Sequence, residues 1–425
     1  MKEIELSKLD MTLYYDMLKN GLEVYLLPYD NKKNYYMSYA TRYGSETTTF
    51  IPAGEEEEVS VPLGIAHFLE HKMFAQEDGV DPFTYFSESG TGANAMTFFD
   101  YTQYICYGTK KFEDNLEYLI KYVNSPYYTD QNVEKEKGII AEELKMYADI
   151  PDYQLDNYLR QNVYHKHPRR IDIGGSVEEI YKITKEDLYT CYNSFYSPNN
   201  MFILIVGGFD KDKAYEFIKK SLEDIDNRGK AKTSKISEPK EVRCEYQEVS
   251  SNISVPKIAV GLKICDRTLG KYNIFDLDLY IQMISTILFG SSSSFRERVR
   301  NKKLINNFYT EVETIDGFHT LYIMSSSEEP DELIKEIKDE LGNVKINKND
   351  FERIKKVWIA NEVKMIDDVD STVNNLYDDI IRYKEVIGDK VDRIRSLDFD
   401  IMNEIVEKIN FNNIAVVKMN SEETI

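Results

Sequence analysis

Three residues within five positions carry the sharpest chemistry in this chain: His67, Glu70 and His71, in the run GIAHFLEHKMF. On a helix, His67 and His71 stand one turn apart on the same face, so both imidazoles can reach one metal ion. Glu70, three residues after His67, is set beside them. A carboxylate there can accept a proton from an attacking water and later pass it to a leaving amine. The order H-x-x-E-H is therefore a pattern for metal-assisted hydrolysis. Zinc is the ion expected on two imidazoles and a carboxylate, although manganese or cobalt suits the same ligands.

A catalytic zinc usually takes three protein ligands and leaves one position open. The stretch VEKEKGIIAEELKMYAD supplies Glu134, Glu136, Glu142 and Glu143. Glu136 and Glu143 are two helical turns apart and share a face, with Ile139, Ile140 and Leu144 forming an apolar strip for core packing beside it. One glutamate of this pair can complete the ligand set while the other holds a histidine through its free ring nitrogen.

The elements that must position these groups are legible in outline. TLYYDMLKNGLEVYLLPY carries Asn20-Gly21 between two alternating runs, a hairpin signal. YYMSYATRYGS reads as a strand, and Pro62 to Phe74 has helical spacing. NAMTFFDYTQYICYG reads as one further strand after a glycine-containing loop at Gly90 and Gly92. Helices follow from Phe112 onward, including one after Pro151. ITKEDLYTCYNSFY is a helix leading through Ser197-Pro198 into the strand MFILIVGG, and SLDFDIMNEIVEKI leads through FNN into IAVVKMN in the same way. Between them, ISVPKIAVGLKI and FHTLYIMSSS read as strands and YNIFDLDLYIQMISTILFG as a buried helix, and the long segment from Asn349 to Tyr383 reads as helical again. The recurrence suggests a duplication. Mixed strands with helices gathered in runs make the fold class α+β. The expected division is a zinc-bearing half over 1–225, a polar linker over 226–242 and a degenerate homologous half over 243–425.

Composition narrows the function classes. The 425 residues exceed one ordinary core, and 42% hydrophobic with 30% charged residues is a globular balance. A net charge of −21 argues against nucleic acid as a partner, since phosphate binding needs clustered Lys and Arg. No run of 18 apolar residues and no signal-type N-terminus is present, so no membrane association is expected. Cys106, Cys191, Cys244 and Cys265 are widely spaced, lack CxxC pairing and read as reduced thiols of a cytoplasmic protein.

H-x-x-E-H followed by an E-x6-E helix resembles the pitrilysin and insulinase zinc peptidases. The likeness extends to YGS (43–45), NAMTFFDYTQY, EKEKGIIAEELKMY with its DIPD, and SFYSPNNMFILIVGG, all in order and spacing. It covers most of residues 15–210 clearly, the second half in outline, and is closest to the short bacterial members. The resemblance implies two similar halves, each a mostly antiparallel sheet covered by helices, forming a clam-like pair around a cavity. It implies one Zn2+ per chain on His67, His71 and Glu143, Glu70 as general base and Glu136 as the glutamate behind a histidine. Asn94 and Ala95 match the edge strand that pairs with an extended substrate through main-chain hydrogen bonds, a mode suited to unfolded peptides.

The family's second half commonly offers an Arg and a Tyr to the substrate. In SSSSFRERVRNKKLINNFYTEV the nearest matches are Arg300 and Tyr309, spaced two residues wider than usual, which puts Asn307 at the tyrosine position. The alternative is that a partner subunit supplies these groups, several short members being similar in pairing a zinc-bearing chain with a sibling lacking the motif. His165 and His167, before Pro168, are expected to be structural, isolated His319 is not expected to be a ligand, and Ser291–Ser294 reads as a loop. The expected function is a zinc endopeptidase for short or unfolded peptides, working as a homodimer or with a paralogue. The alternatives are a silent scaffold on the same fold and a peptidase active only with its partner.

Overall fold

Each half of the sequence builds its own sheet, and the two sheets repeat one topology. The computed structural model describes residues 1–7, 9–315 and 317–422. The first sheet contains β1 (Lys2–Leu6), β2 (Met11–Met17), β3 (Glu23–Pro28), β4 (Tyr35–Thr41), β5 (Gly92–Thr97), β6 (Thr102–Gly108) and β7 (Met201–Gly207). Its order is β1-β2-β3-β7-β4-β6-β5. The second contains β8 (Tyr246–Ser251), β9 (Lys257–Cys265), β10 (Asn307–Ile315), β11 (Phe318–Ser326) and β12 (Ile414–Ser421), in the order β8-β12-β9-β11-β10. In both, the last strand in sequence pairs in parallel with one earlier strand (β3 with β7, β8 with β12) and the remaining neighbours are antiparallel. Strands and helices in this arrangement make an α+β fold.

The compact units do not follow sequence order. One comprises residues 1–145, 172–235 and 364–389; the other comprises 146–171, 236–363 and 390–425. The reason lies in two apolar helix faces. Helix α3 (Pro151–Val163) buries Leu155, Leu159 and Val163 against Ala259 of β9 and Val417 of β12. Helix α4 (Val369–Asp378) buries Val373, Leu376 and Tyr377 against Phe202, Leu204 and Val206 of β7. Each such side chain contributes roughly 1.5–3 kcal/mol, enough to assign the helix to the sheet it covers. Two further helices, α1 (Ile65–Met73) and all but the last three residues of α2 (Asp130–Ala148), belong to the first unit.

One expectation is corrected and one is made more detailed. The single strand expected in NAMTFFDYTQYICYG is a hairpin, β5 and β6, reversing at Phe98–Tyr101, where the Phe98 amide donates to the Tyr101 carbonyl at 2.8 Å and the two rings stack 4.4 Å apart. Aromatic packing makes this turn, with no glycine or proline to mark it. The segment expected to be helical from Asn349 to Tyr383 is so, in two pieces: Lys348–Met365, then α4, which widens into a π-helical turn through Tyr383. Asp368 caps α4 by accepting the Ser371 amide at 2.9 Å, and the break separates two helices that belong to different units. The apolar segment Ile274–Phe289 is a helix buried on most sides within the second unit.

Candidate metal centre

The helix that carries the two histidines enters through Gly64, whose φ of +81° lies in the left-handed region. A Cβ there would sit 2.2 Å from the Gly174 carbonyl oxygen, so the close approach of the two backbone segments needs glycine. Helix α1 then buries Ile65, Phe68, Leu69 and Met73 in the core of its unit. That packing leaves His67 and His71 half-buried on a common side, their rings 4.7 Å apart and edge to face. Helix α2 is held by Val133, Ile140 and Ala141. Ile139, expected in the apolar strip, is instead 49% exposed, because one residue's rotation carries it off the face that Ile140 and partly buried Leu144 occupy.

Glu143 Oε2 lies 3.9 Å from His67 Nε2 and 3.4 Å from His71 Nε2. The three candidate ligand atoms all fall within 4.8 Å of one another. Ligands about 2.1 Å from a tetrahedral zinc lie about 3.4 Å apart, so one ion fits among them with small adjustments. Glu143 Oε2 is buried and accepts no hydrogen bond within the protein, as a ligand atom turned toward an ion would. Glu136 faces the other side of His71, its Oε1 3.2 Å from Nδ1. The two glutamates left open by the helical spacing are thereby separated by geometry.

The electrostatics follow from burial and these contacts. Burial and the neighbouring His71 both push the His67 pKa down, keeping that imidazole neutral and able to donate a lone pair. Burial opposes charge on His71 as well, but the facing carboxylates of Glu136 and Glu143 outweigh it and hold its pKa above the usual range. The neighbouring His71 ring, 3.4 Å away, lowers the Glu143 carboxyl. Glu70 is 8% exposed, and burial pushes its carboxyl up, partly offset by the Thr97 hydroxyl, which donates to Oε2 at 2.7 Å. A carboxyl so placed has raised basicity without losing its orientation.

Asn94 and Ala95 sit on β5, which pairs on one side with β6 and ends the sheet. Asn94 is exposed, and its Oδ1 accepts the Ala95 amide at 3.0 Å. Arg300 and Tyr309 belong to the second unit. Arg300 is exposed near the end of the helix Ser294–Asn301, the Tyr309 hydroxyl donates to Glu311 at 2.6 Å, and Asn307 Oδ1 accepts the Ser326 amide. The amides of His165, Lys166 and His167 all donate to Glu238, and His167 Nδ1 accepts from the Arg169 amide.

His319 is fully buried in the second unit, Nε2 3.1 Å from Asp266 Oδ1 and Nδ1 3.5 Å from Asp278 Oδ1. Burial would lower its pKa, but the two carboxylates raise it to about 9. Its nitrogens address carboxylates on opposite sides of the ring, an ion-paired core histidine rather than a second metal cluster. Thr314 donates to Asp278, much as Thr97 donates to Glu70, and the two threonines hold matching places: Thr97 pairs with Thr102 across β5 and β6, Thr314 with His319 across β10 and β11. Sequence reasoning missed Thr97, and also Lys72, whose ammonium lies 3.4 Å from Glu136 Oε2. The only signal for Lys72 was a charge between Leu69 and Met73 on an otherwise apolar helix face.

The family description Insulinase (Peptidase family M16) matches residues 38–175, and Peptidase M16 inactive domain matches residues 182–357. The uncharacterized zinc protease YmfH of Bacillus subtilis is 40% identical over 341 residues, 79% of each chain. A putative M16-like peptidase from Alicyclobacillus acidocaldarius superposes with a TM-score of 0.91 at 30% identity, covering 98% of this chain and 100% of that one. The periplasmic protease PqqL from Escherichia coli shares the fold at 17% identity and a TM-score of 0.78, this chain covering 48% of its length. The chain therefore belongs to the pitrilysin/insulinase family of peptidases, M16, among the short members that join the family's insulinase domain to its inactive domain.

Proposed function

We propose that this protein is a zinc-dependent endopeptidase acting on short or unfolded peptides, with His67, His71 and Glu143 holding one zinc ion and Glu70 as general base. The observation that carries the reading is the convergence of two Nε2 atoms and one carboxylate oxygen beside a buried glutamate that Thr97 holds by a hydrogen bond. Zinc in such a site supplies a Lewis acid for the scissile carbonyl and activates water at neutral pH. Glu70 takes the proton of the attacking water and delivers it to the leaving amine, while Thr97 keeps its carboxylate aimed. Glu136 holds His71 by its Nδ1 so that Nε2 stays turned toward Glu143. The free edge of β5, at Asn94 and Ala95, is suited to receive an extended peptide backbone. No covalent enzyme intermediate is required.

A partner chain, a second copy or a paralogue lacking the zinc motif, is part of the proposal. It is supported by the match to about half of PqqL. Arg300 and Tyr309 are the candidates in this chain for contacting substrate. Cytoplasmic residence rests on four cysteines that are all free thiols.

The test is bound metal and cleavage of a quenched peptide library by the purified chain, wild type and Glu70→Gln. One zinc per chain with activity lost in the variant, metal retained, is the expected result. Zinc without activity in the wild type points to a required partner. Neither metal nor activity overturns the reading in favour of a scaffold.

A further inference from the structure

Lys72 is a charge in the wrong place for simple packing. It directly follows the ligand His71, yet its residue surface is 2% exposed and its ammonium is sealed inside the first unit. Removing an ammonium from water costs several kcal/mol unless a partner compensates. Among the described residues its hydrogen-bond partner is Glu136 Oε2, at 3.4 Å. The other oxygen of the same carboxylate is 3.2 Å from His71 Nδ1.

Two adjacent side chains of α1 therefore grip the two oxygens of one glutamate from α2. With a single contact, the carboxylate could rotate about its last bond and turn toward water. With both oxygens held, Oε1 stays on His71 Nδ1, which keeps the ring proton on that nitrogen and leaves the Nε2 lone pair facing Glu143. From this geometry we infer that Lys72 is a positioning residue for the metal ligand His71, acting through Glu136. The inference rests on the proposed zinc site and adds a residue to which the family resemblance assigns no role.

The experiment measures the zinc dissociation constant of the full chain by competition with a chromophoric chelator. The variants are Lys72→Met, Lys72→Arg, Glu136→Gln and the double variant Lys72→Met/Glu136→Gln, each checked for folding by circular dichroism. Loss of a group that orients a ligand weakens metal binding by about 10- to 100-fold; one step further out, Lys72→Met is expected at the low end, about 10-fold. Lys72→Arg restores binding, because a guanidinium can hold the same carboxylate. In the Glu136→Gln background Lys72→Met has no further effect, since the group it acts through is already altered. A purely structural lysine would lower the melting temperature in both backgrounds and leave zinc affinity unchanged, which would overturn the inference. Equal weakening in both backgrounds would overturn it too. If Lys72→Met fails to fold, Lys72→Gln takes its place with the same expectations. A wild type that binds no zinc sinks the proposed function itself, whereas normal zinc binding in both wild type and Lys72→Met sinks only the role of Lys72.

Discussion

Replacing Glu238 by alanine is expected to destabilise the second unit by about 4–6 kcal/mol. Glu238 and Lys263 form an ion pair at 2.6 Å with side chains 1% and 0% exposed. The same carboxylate accepts the amides of His165, Lys166 and His167 at 2.8, 2.7 and 2.9 Å. Lys263 has two weaker partners, the Val163 and Glu241 carbonyls at 3.2 Å. Breaking a buried pair from one side costs about 3–5 kcal/mol, because the remaining charge stays uncompensated. Each orphaned amide adds about 1–3 kcal/mol, of which water entering the vacated space returns a large part. Lys263→Met leaves Glu238 with its three amides and should cost less, about 1–3 kcal/mol. Combining the two changes removes the stranded ammonium, so the double variant should be no less stable than Glu238→Ala. The assay is guanidinium unfolding followed by fluorescence of Trp358, the only tryptophan, which lies in the helix Lys348–Met365 of the second unit. Glu238→Ala within about 1 kcal/mol of wild type, or strictly additive losses in the double variant, would refute the reasoning.

Three further outcomes follow from the geometry. Thr97→Val should lower kcat about 10- to 100-fold with bound zinc unchanged, since a hydrogen bond to a charged group is worth about 1.5–3 kcal/mol; peptide hydrolysis and metal analysis read both. His319, raised to about 9 from 6.5, contributes stability that is complete below pH 6.5 and lost as pH rises through 9. The Trp358 unfolding midpoint should therefore fall between pH 6.5 and 9.5 in the wild type and change less in His319→Gln. Gly64→Ala should lower thermal stability and the yield of zinc-loaded protein together, because its Cβ has no room beside Gly174, and calorimetry with metal analysis checks it.

Local spacing and tertiary packing divided the information about this protein between them. The relation among His67, Glu70 and His71 was legible because 3.6 residues per turn sets it within one helix, whatever surrounds that helix. The same period brought Glu136 and Glu143 to one face but could not choose between them as ligand. How α2 packs on α1 tells the two apart, turning Glu143 toward both Nε2 atoms and Glu136 toward Nδ1. The contributions of Thr97 and Lys72 were hidden for the same reason: each acts across a contact between elements, and neither residue type announces it. Strand and helix content followed from hydrophobic periodicity, and the matching topology of the two sheets accords with the recurring order of elements. Which helix covers which sheet did not follow from it. An apolar face specifies that a helix must be buried but not against what, so α3 and α4 were assigned only when each sheet offered a complementary surface.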